Sequence, residues 1–275
     1  MTKERLDQLL VRRGFLESRN QAYAAIVTGE VKVNGAKCVK PAQPVDESAT
    51  IDYEPASAGY VSRGGIKLAQ ALDQFQIDVT GLTVLDAGSS TGGFTDCLLR
   101  RGAAKVIAVD VGYGQLAWKL RSDARVEVLE RVNLRFLELA QISEPAKVAT
   151  LDLSFISLTL VVPAVVRCLT EDGSIVALVK PQFEVGKGKV GRTGVVTDPR
   201  LHSEVLTRLA RHFVESGLTV NDMHYSPLLG AKGNIEYWLY LSKKPLVGYP
   251  FQGRENPVAE TVAAAHAALG RTDRP

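Results

Sequence analysis

The sequence has few cysteines and histidines, the residues that form disulfides in secreted proteins and bind structural metal ions. Among its 275 residues there are three cysteines and four histidines. An odd number of widely separated cysteines excludes a disulfide framework and is typical of a reducing compartment, so we expect a cytoplasmic protein. The histidines show no metal-ligand spacing with the cysteines, so we expect no metal site. These residues are Cys38, Cys97, Cys168, His202, His212, His224 and His266.

Long apolar segments are also missing. The most apolar stretch, residues 155–166, is interrupted by Ser157, Thr159 and Pro163, and a membrane-spanning helix needs about 20 apolar residues. The first residues carry no apolar run of the kind that a secretory signal needs. Apolar residues still make up 45% of the chain, which is too much for a disordered protein. We therefore expect a globular protein with a substantial core and no membrane span.

A strong charge excess is missing as well, because the formal net charge is only +3. Basic side chains are concentrated in residues 1–40, whereas residues 41–60 contain acids and no base. Such a local basic stripe favours contact with a phosphate backbone, although a solvated helix face is the commoner fate of these charges. The candidates near the predicted first helices are Arg5, Arg12, Arg13 and Arg19.

Residues 1–60 are predicted to form a small α+β domain followed by a linker. Leu6 and Leu10 lie one helical turn apart, and residues 18–21 form a capping box that opens a second helix. Asn34-Gly35 is a strong signal for a two-residue β-hairpin. Short extended segments and a linker follow the hairpin.

Residues 61–245 alternate apolar runs of strand length with helical patterns. This alternation predicts an α/β fold with a Rossmann-like, mostly parallel sheet covered by helices on both faces. The predicted strands are 83–86, 106–110, 126–129, 148–153, 175–179, 218–225 and 235–241. The predicted helices lie near 64–76, 93–102, 157–169 and 198–216. We expect one strand, the last, to run antiparallel.

Residues 246–275 are predicted to form a C-terminal tail with one short helix. Asn256-Pro257 supplies an N-cap followed by proline at the first helical position. The alanine-rich pattern that follows ends at Gly270. We expect this helix to be peripheral.

The sharpest motif is a glycine-rich loop, Val-Leu-Asp-Ala-Gly-Ser-Ser-Thr-Gly-Gly-Phe at residues 84–94. Its glycines allow a tight turn and a close approach of the backbone to a ligand. Asp110 ends the next predicted strand about 20 residues beyond Gly88, where an acid can bind a ribose diol. The loop departs from the G-x-G-x-x-G dinucleotide pattern, which favours a nucleoside without a pyrophosphate. S-adenosylmethionine is the natural candidate, and a plain cluster of turn glycines is the alternative.

Four polar residues are predicted to converge at one edge of the sheet. Lys67 lies on the helix before the first strand, Asp152 ends one strand and Lys180 directly follows another. Glu236 begins the last strand and reaches the same edge if that strand is antiparallel. Singly, each is more often a surface lysine, a capping aspartate or part of an ion pair. Together they suit removal of a proton from a weakly acidic hydroxyl, because lysine can act as a general base.

Four motifs resemble the TlyA family, which is similar to FtsJ-type ribose 2′-O-methyltransferases and has an N-terminal RNA-binding domain of the ribosomal-protein S4 type. The motifs are residues 62–68, 86–95, 152–157 and 180–184, and the resemblance spans residues 1 to about 244. It implies a methyltransferase sheet at 61–245 behind an RNA-binding domain at 1–60. It also implies S-adenosylmethionine-dependent methylation of cytidine in 16S and/or 23S ribosomal RNA.

The resemblance implies roles for individual residues. It implies Lys180 as the base, with Lys67, Asp152 and Glu236 as positioning and electrostatic partners. The implied donor contacts are Asp86, Gly88, Ser89, Gly92, Gly93, Phe94, Asp110 and, on the adenine side, Asn133. A glycine-spaced basic loop after Lys180 is a second candidate for RNA contact or a plain surface loop; its basic residues are Lys187, Lys189 and Arg192.

Three other functions remain open at this point. A small-molecule O-methyltransferase would methylate free nucleosides and would not need residues 1–60. A membrane-lytic protein is suggested by the name haemolysin that is given to members of the TlyA family, but a lytic helix needs a strong apolar face. An RNA-binding assembly factor would use its catalysis only incidentally.

Overall fold

The computed structural model describes residues 3–16, 18–27, 29–38, 40–53, 59–186, 188, 190–191, 193–248 and 250–270. The chain divides into two compact units, Met1–Gly59 and Tyr60–Pro275. The first unit has a hydrophobic core of its own, and the second packs apolar residues on both faces of a sheet.

The described part of the first unit packs two helices with short strands. The elements are β1 (Lys3–Arg5), α1 (Leu6–Arg12), α2 (Arg19–Val27), β2 (Val31–Val33), β3 (Ala36–Lys37), β4 (Pro44–Asp46) and β5 (Ile51–Tyr53). β1 pairs with β4, and β2 pairs antiparallel with β3 and β5. Leu6 and Leu10 are fully buried, as their helical spacing requires. Asn34 and Gly35 both have positive φ angles, of 50° and 78°, which a two-residue hairpin turn needs.

The second unit contains the larger sheet. Its strands are β6 (Thr83–Ala87), β7 (Lys105–Asp110), β8 (Val126–Glu130), β9 (Ala146–Leu151), β10 (Leu169–Val179), β11 (Thr219–Tyr225) and β12 (Tyr237–Ser242). Its α-helices are α3 (Gly64–Gln74), α4 (Gly93–Arg100), α5 (Trp118–Arg121), α6 (Leu158–Arg167), α7 (Pro181–Glu184), α8 (Pro199–Glu215) and α9 (Pro257–Leu269). Single 3-10 turns lie at Leu134–Phe136, Leu139–Gln141, Ala231–Gly233 and Pro250–Gly253.

These seven strands form one sheet in the order β11-β12-β10-β9-β6-β7-β8. The strands from β10 to β8 pair in parallel, and β12 pairs antiparallel with both of its neighbours. The predicted α/β fold with one antiparallel strand is therefore confirmed. Because Val179 at the end of β10 pairs with Tyr237 at the start of β12, both strand ends lie at the same edge of the sheet.

Helices cover both faces of this sheet. Leu85 and Ile107 pack in one core with α6, α8 and α9, whereas Val84 and Val106 pack in another with α3 and α4. Continuous apolar strands are what a sheet buried on both faces requires. α8 begins as its sequence predicts, with an Asp198 side chain that accepts the main-chain N–H of Arg200.

Three predicted elements differ from the structure. β12 begins at Tyr237, so Glu236 precedes the strand and does not begin it. β10 begins at Leu169, well before the predicted residue 175, and its pairing with β9 is irregular before Ser174. The expectation of a peripheral C-terminal helix is wrong. Val262 and Ala265 of α9 are buried, because alanine and valine on one helix face pack into the core beside α8 and β11.

Candidate active site

Lys67 and Glu236 form a buried ion pair at the edge where the parallel strands end. Lys67 lies in the first turn of α3, and Glu236 directly precedes β12. Lys67 Nζ lies 2.6 Å from Glu236 Oε2, and the Glu236 side chain is only 2% exposed. Burial raises the pKa of Glu236, while the charges of Lys67 and Lys180 oppose that increase. Glu236 therefore lies within electrostatic reach of both lysines.

Lys180 and Asp152 form a second ion pair at this edge. Asp152 directly follows β9, and Lys180 directly follows β10. Lys180 Nζ lies 2.6 Å from Asp152 Oδ1 and donates a hydrogen bond to Ser154 Oγ at 3.2 Å. Within the described residues, Asp152 Oδ1 accepts no well-angled hydrogen bond. This oxygen is buried, and its close neighbour is the Lys180 amine.

The glycine-rich loop lies against the Asp152 segment. Gly88 has a φ of +89°, and a Cβ there would lie 2.6 Å from the main-chain oxygen of Asp152. Gly92 has a φ of +97°, and a Cβ there would lie 2.2 Å from Leu120 Cδ1. Only glycine fits either position. The loop therefore brings bare backbone to the sheet edge, next to the second ion pair.

Asp110, at the end of β7, contacts the glycine-rich loop. Its Oδ2 accepts the N–H of Ser90 at 2.8 Å, and its Oδ1 accepts the N–H of Gly112 at 2.6 Å. These bonds fix the carboxylate at the rim and leave further lone pairs on both oxygens. The next residue, Val111, is 72% exposed. Sequence reasoning missed Val111, because an apolar residue at the end of a buried strand gives no sign of facing outward.

The other residues of the loop that are predicted to contact the donor are buried. Ser89 follows Gly88 in the loop and is buried, as is Gly93 at the start of α4. Asp86 is fully buried behind the loop, where its Oδ2 accepts the Thr95 hydroxyl at 2.6 Å. Phe94 is also buried, with its ring 5.9 Å from that of Trp238. The structure therefore places Asp86 and Phe94 behind the loop and does not bring their side chains to the rim.

Asn133 lies at the rim, beyond the end of β8. Its side chain is exposed, and Oδ1 accepts the N–H of Arg135 at 3.1 Å. It thereby caps the 3-10 turn Leu134–Phe136.

An exposed pair of phenylalanines lies beside the second ion pair. Phe155 is 89% exposed and has a φ of 64°, which is uncommon for a residue other than glycine. Its ring centroid lies 4.8 Å from that of Phe183. Phe155 follows Asp152 closely in the chain, and Phe183 follows Lys180. Sequence reasoning missed this pair because the Phe155 conformation is not readable from an apolar stretch.

The arginines of the first unit are engaged by nearby acids. Arg5 and Arg19 both donate to the buried carboxylate of Asp7, at 2.8 and 3.2 Å. The hydrogen bond from Arg5, aided by Arg19, lowers the pKa of Asp7 to about 2. Both guanidinium groups remain exposed, so Asp7 holds them in place at the surface.

Arg12 and Arg13 are anchored in the same unit. Arg12 pairs with Glu4 at 2.8 Å, and Arg13 donates to the main-chain oxygen of Ala49 at 2.8 Å. The structure thus places all four arginines on the exposed surface of the first unit. The basic residues of the glycine-spaced loop lie outside the described residues; they are Lys187, Lys189 and Arg192.

Neither a membrane span nor a metal site is found in the part of the chain that the structure describes. No helix there is long and apolar enough to cross a bilayer, and no group of three acidic, histidine or cysteine side chains is arranged to hold a metal ion.

The sheet order, the single antiparallel strand and the glycine-rich loop together define the class of the second unit, which is a Rossmann-like methyltransferase. Residues 60–243 match the FtsJ-like methyltransferase family, and residues 4–51 match the S4 domain. The chain therefore belongs to the TlyA family of FtsJ-like methyltransferases.

Three similar proteins support this assignment. The chain is 48% identical to the 16S/23S rRNA (cytidine-2'-O)-methyltransferase TlyA of Mycobacterium tuberculosis. The 262 aligned residues cover 95% of this chain and 98% of that protein. It is 44% identical to the putative rRNA methyltransferase YqxC of Bacillus subtilis, over 92% of this chain and 88% of that protein. A putative hemolysin from Streptococcus thermophilus has the same fold, with a TM-score of 0.77, 39% identity and 99% of each chain covered.

Proposed function

We propose that this chain transfers the methyl group of S-adenosylmethionine to the ribose 2′-hydroxyl of a cytidine in ribosomal RNA. The observation that carries the proposal is the meeting of two lysine–carboxylate pairs at the sheet edge beside the glycine-rich loop. The named activity of the Mycobacterium tuberculosis relative and the S4 domain support the choice of substrate. The proposed place of action is the cytoplasm.

The residues at the rim fit the donor. Gly88 lets the loop pack against the Asp152 segment, since a Cβ there would meet the Asp152 main-chain oxygen. Asp110 has lone pairs to accept hydrogen bonds from a ribose diol, and the exposed Val111 side chain offers an apolar surface for a base. Gly88, Ser89, Gly92, Asp110, Val111 and Asn133 would hold the donor. When bound, S-adenosylmethionine supplies an electrophilic methyl group on a positively charged sulfur.

Lys180 is the proposed general base. As a base it would take the proton of the 2′-hydroxyl while that oxygen receives the methyl group and the donor sulfur leaves as a neutral thioether. Asp152 and Ser154 fix the Lys180 amine by direct contact. The Lys67–Glu236 pair would hold a second positive charge near the developing alkoxide. Glu236 offsets the free-energy cost of burying the Lys67 charge. Since the donor is already activated, alignment of the reacting atoms is the main demand on the protein.

Two further features suit an RNA substrate. The exposed Phe155 ring, backed by Phe183, gives a flat surface on which an unstacked base can lie next to Lys180. Turning the target nucleotide out of its stack would bring its 2′-hydroxyl to Lys180. The first unit, through Arg5, Arg12 and their neighbours, is the proposed contact for the phosphate backbone.

Nucleotide-resolution mapping of ribosomal RNA tests this proposal. Ribosomal RNA is prepared from cells with and without the protein, and 2′-O-methyl groups are mapped in both subunits. At least one cytidine is expected to lose its methyl group when the protein is absent. Identical maps would overturn the proposal, and methylation of free nucleosides by the purified chain without residues 1–59 would favour a small-molecule O-methyltransferase.

A further inference from the structure

Glu184 ends the Lys-Pro-Gln-Phe-Glu motif after β10 and has no role in the chemistry above. Its side chain is only 2% exposed. Oε1 accepts the main-chain N–H of Leu158 at 2.8 Å, and Oε2 accepts the hydroxyl of Ser157 at 2.7 Å. Arg208 of α8 donates to the Glu184 main-chain oxygen at 2.7 Å. Both ends of this residue are therefore fixed.

The partners of Glu184 belong to the loop that carries Asp152. That loop, residues 152–157, connects β9 to α6, and Ser157 caps the helix. Glu184 belongs to the loop that carries Lys180, residues 180–184. The two loops meet near their starts through Lys180 and Asp152. Glu184 joins them again at their ends, so each loop is held at two points.

We infer that Glu184 is a positioning residue for methyl transfer. It fixes the position of the loop that carries Lys180 relative to the loop that carries Asp152. The inference rests on the proposed function of Lys180 and Asp152. Through Arg208, Glu184 also connects both loops to α8, a helix of 17 residues. A displacement of about 1 Å at a reacting group can cost about 100-fold in rate. The hydrogen bonds of Glu184 to Ser157 and Leu158 therefore control kcat.

Two substitutions separate the length of the Glu184 side chain from its charge. Glu184→Gln keeps the length, and its amide can still accept from Leu158 and donate to Ser157. It gives up only the 3.4 Å contact of Oε2 with Arg208, whose guanidinium keeps its shorter hydrogen bond to the Glu184 main-chain oxygen. Glu184→Asp keeps the charge but is one methylene too short to reach both partners. A positioning role therefore predicts that aspartate is the damaging replacement and glutamine is the tolerated one.

The variants are compared in the full chain by steady-state methyl transfer to ribosomal subunits and by calorimetry with S-adenosylmethionine. Glu184→Asp is expected to lower kcat by about 10- to 100-fold, with the donor Kd and the KM for RNA unchanged. Glu184→Gln is expected to keep the wild-type kcat. Glu171→Ala is the control, because that side chain is 90% exposed on β10.

Three results would overturn the inference: a wild-type kcat in Glu184→Asp, an equal loss in both variants, or a loss of donor binding together with kcat. If Glu184→Asp does not fold, Ser157→Ala removes one of the same hydrogen bonds and must lower kcat with an unchanged donor Kd. A wild-type protein that binds the donor and methylates no ribosomal RNA would instead overturn the proposed function and, with it, this inference.

Discussion

At the residue scale, the candidate site depends on pairing each lysine with one carboxylate. The pairs have the same separation, 2.6 Å, but differ in exposure, since Glu236 is buried and Asp152 is partly exposed. A buried ion pair gives little net stability, because desolvation offsets the attraction. We interpret the Lys67–Glu236 pair as a fixed support and the Lys180–Asp152 pair as the part that meets the substrate.

Replacing Gly88 tests the donor site directly. Gly88→Ala is expected to abolish binding of S-adenosylmethionine, because the new methyl group would lie 2.6 Å from the main-chain oxygen of Asp152 and would push the glycine-rich loop out of place. Gly81→Ala is the matched control, since Gly81 also has a positive φ, +71°, but has no atom within 4 Å of the new Cβ. Calorimetry with the donor measures both. Equal affinities in the two variants would contradict the donor site.

The buried carboxyl of Asp86 predicts a pH dependence of stability. Burial raises the pKa of Asp86 to about 7, above the value of about 3.9 in an unfolded chain. The folded state then binds more protons, so the stabilisation from this group is complete below about pH 4 and is lost as the pH rises through about 7.

Asp86→Asn should therefore flatten the pH dependence of the free energy of unfolding. Between pH 4 and pH 8, the wild-type value is expected to fall by up to roughly 4 kcal/mol more than that of the variant. Urea unfolding at a series of pH values measures the difference. Parallel curves for the two proteins would show that Asp86 does not titrate in this range.

At the element scale, the sequence predicts the sheet well because its signals are local. Apolar runs, the Asn34-Gly35 turn and the Asp198 cap each act within a few residues. The sequence predicts the start of β12 two residues early, since Ile235 and Glu236 continue the alternation of apolar and polar residues without pairing in the sheet.

Features that depend on distant partners were not predictable from local patterns. Glu184 meets Ser157 at a separation of 27 residues, and Lys67 meets Glu236 at a separation of 169. Topology and resemblance predict that Lys67 and Glu236 converge, whereas no motif indicates the contact between Glu184 and Ser157. The same reason explains why α9 was expected at the periphery: its alanines do not show what they pack against.

Aspartate substitutions test the packing of α9. Ala265 is fully buried and Ala264 is exposed on the same helix. Ala265→Asp is expected to destabilise the protein by at least about 3 kcal/mol, because it buries an unpaired charge. Ala264→Asp should cost no more than about 0.7 kcal/mol, the helix-propensity difference. Urea unfolding compares the two, and equal costs would contradict the docked helix.

At the scale of the whole molecule, a near-neutral chain is proposed to bind a polyanion through a local surface. Arg12 and Arg19 are each more than half exposed but are held by Glu4 and Asp7. Their acids fix the positions of the guanidinium groups and also reduce the local positive charge. RNA affinity is therefore expected to be modest and to fall with salt.

Arg12→Ala and Arg19→Ala test this surface. Each is expected to weaken binding to ribosomal RNA and to lower the slope of log affinity against log salt by about 1, without changing the donor Kd. Lys147→Ala is the control, because Lys147 lies near the amino end of β9, opposite the candidate site. Filter binding at several salt concentrations measures the slopes. Unchanged slopes in both arginine variants would remove the first unit from the RNA contact.

The central claim is that Lys180 removes the proton of a ribosomal-RNA hydroxyl at this sheet edge. The most direct measurement is transfer of a labelled methyl group from S-adenosylmethionine to ribosomal subunits by the wild type, Lys180→Ala and Lys147→Ala. Lys180→Ala is predicted to lose about 10²- to 10⁴-fold in kcat, the usual contribution of a general base, while calorimetry shows unchanged donor binding. A Lys180→Ala protein as active as the wild type would contradict the account.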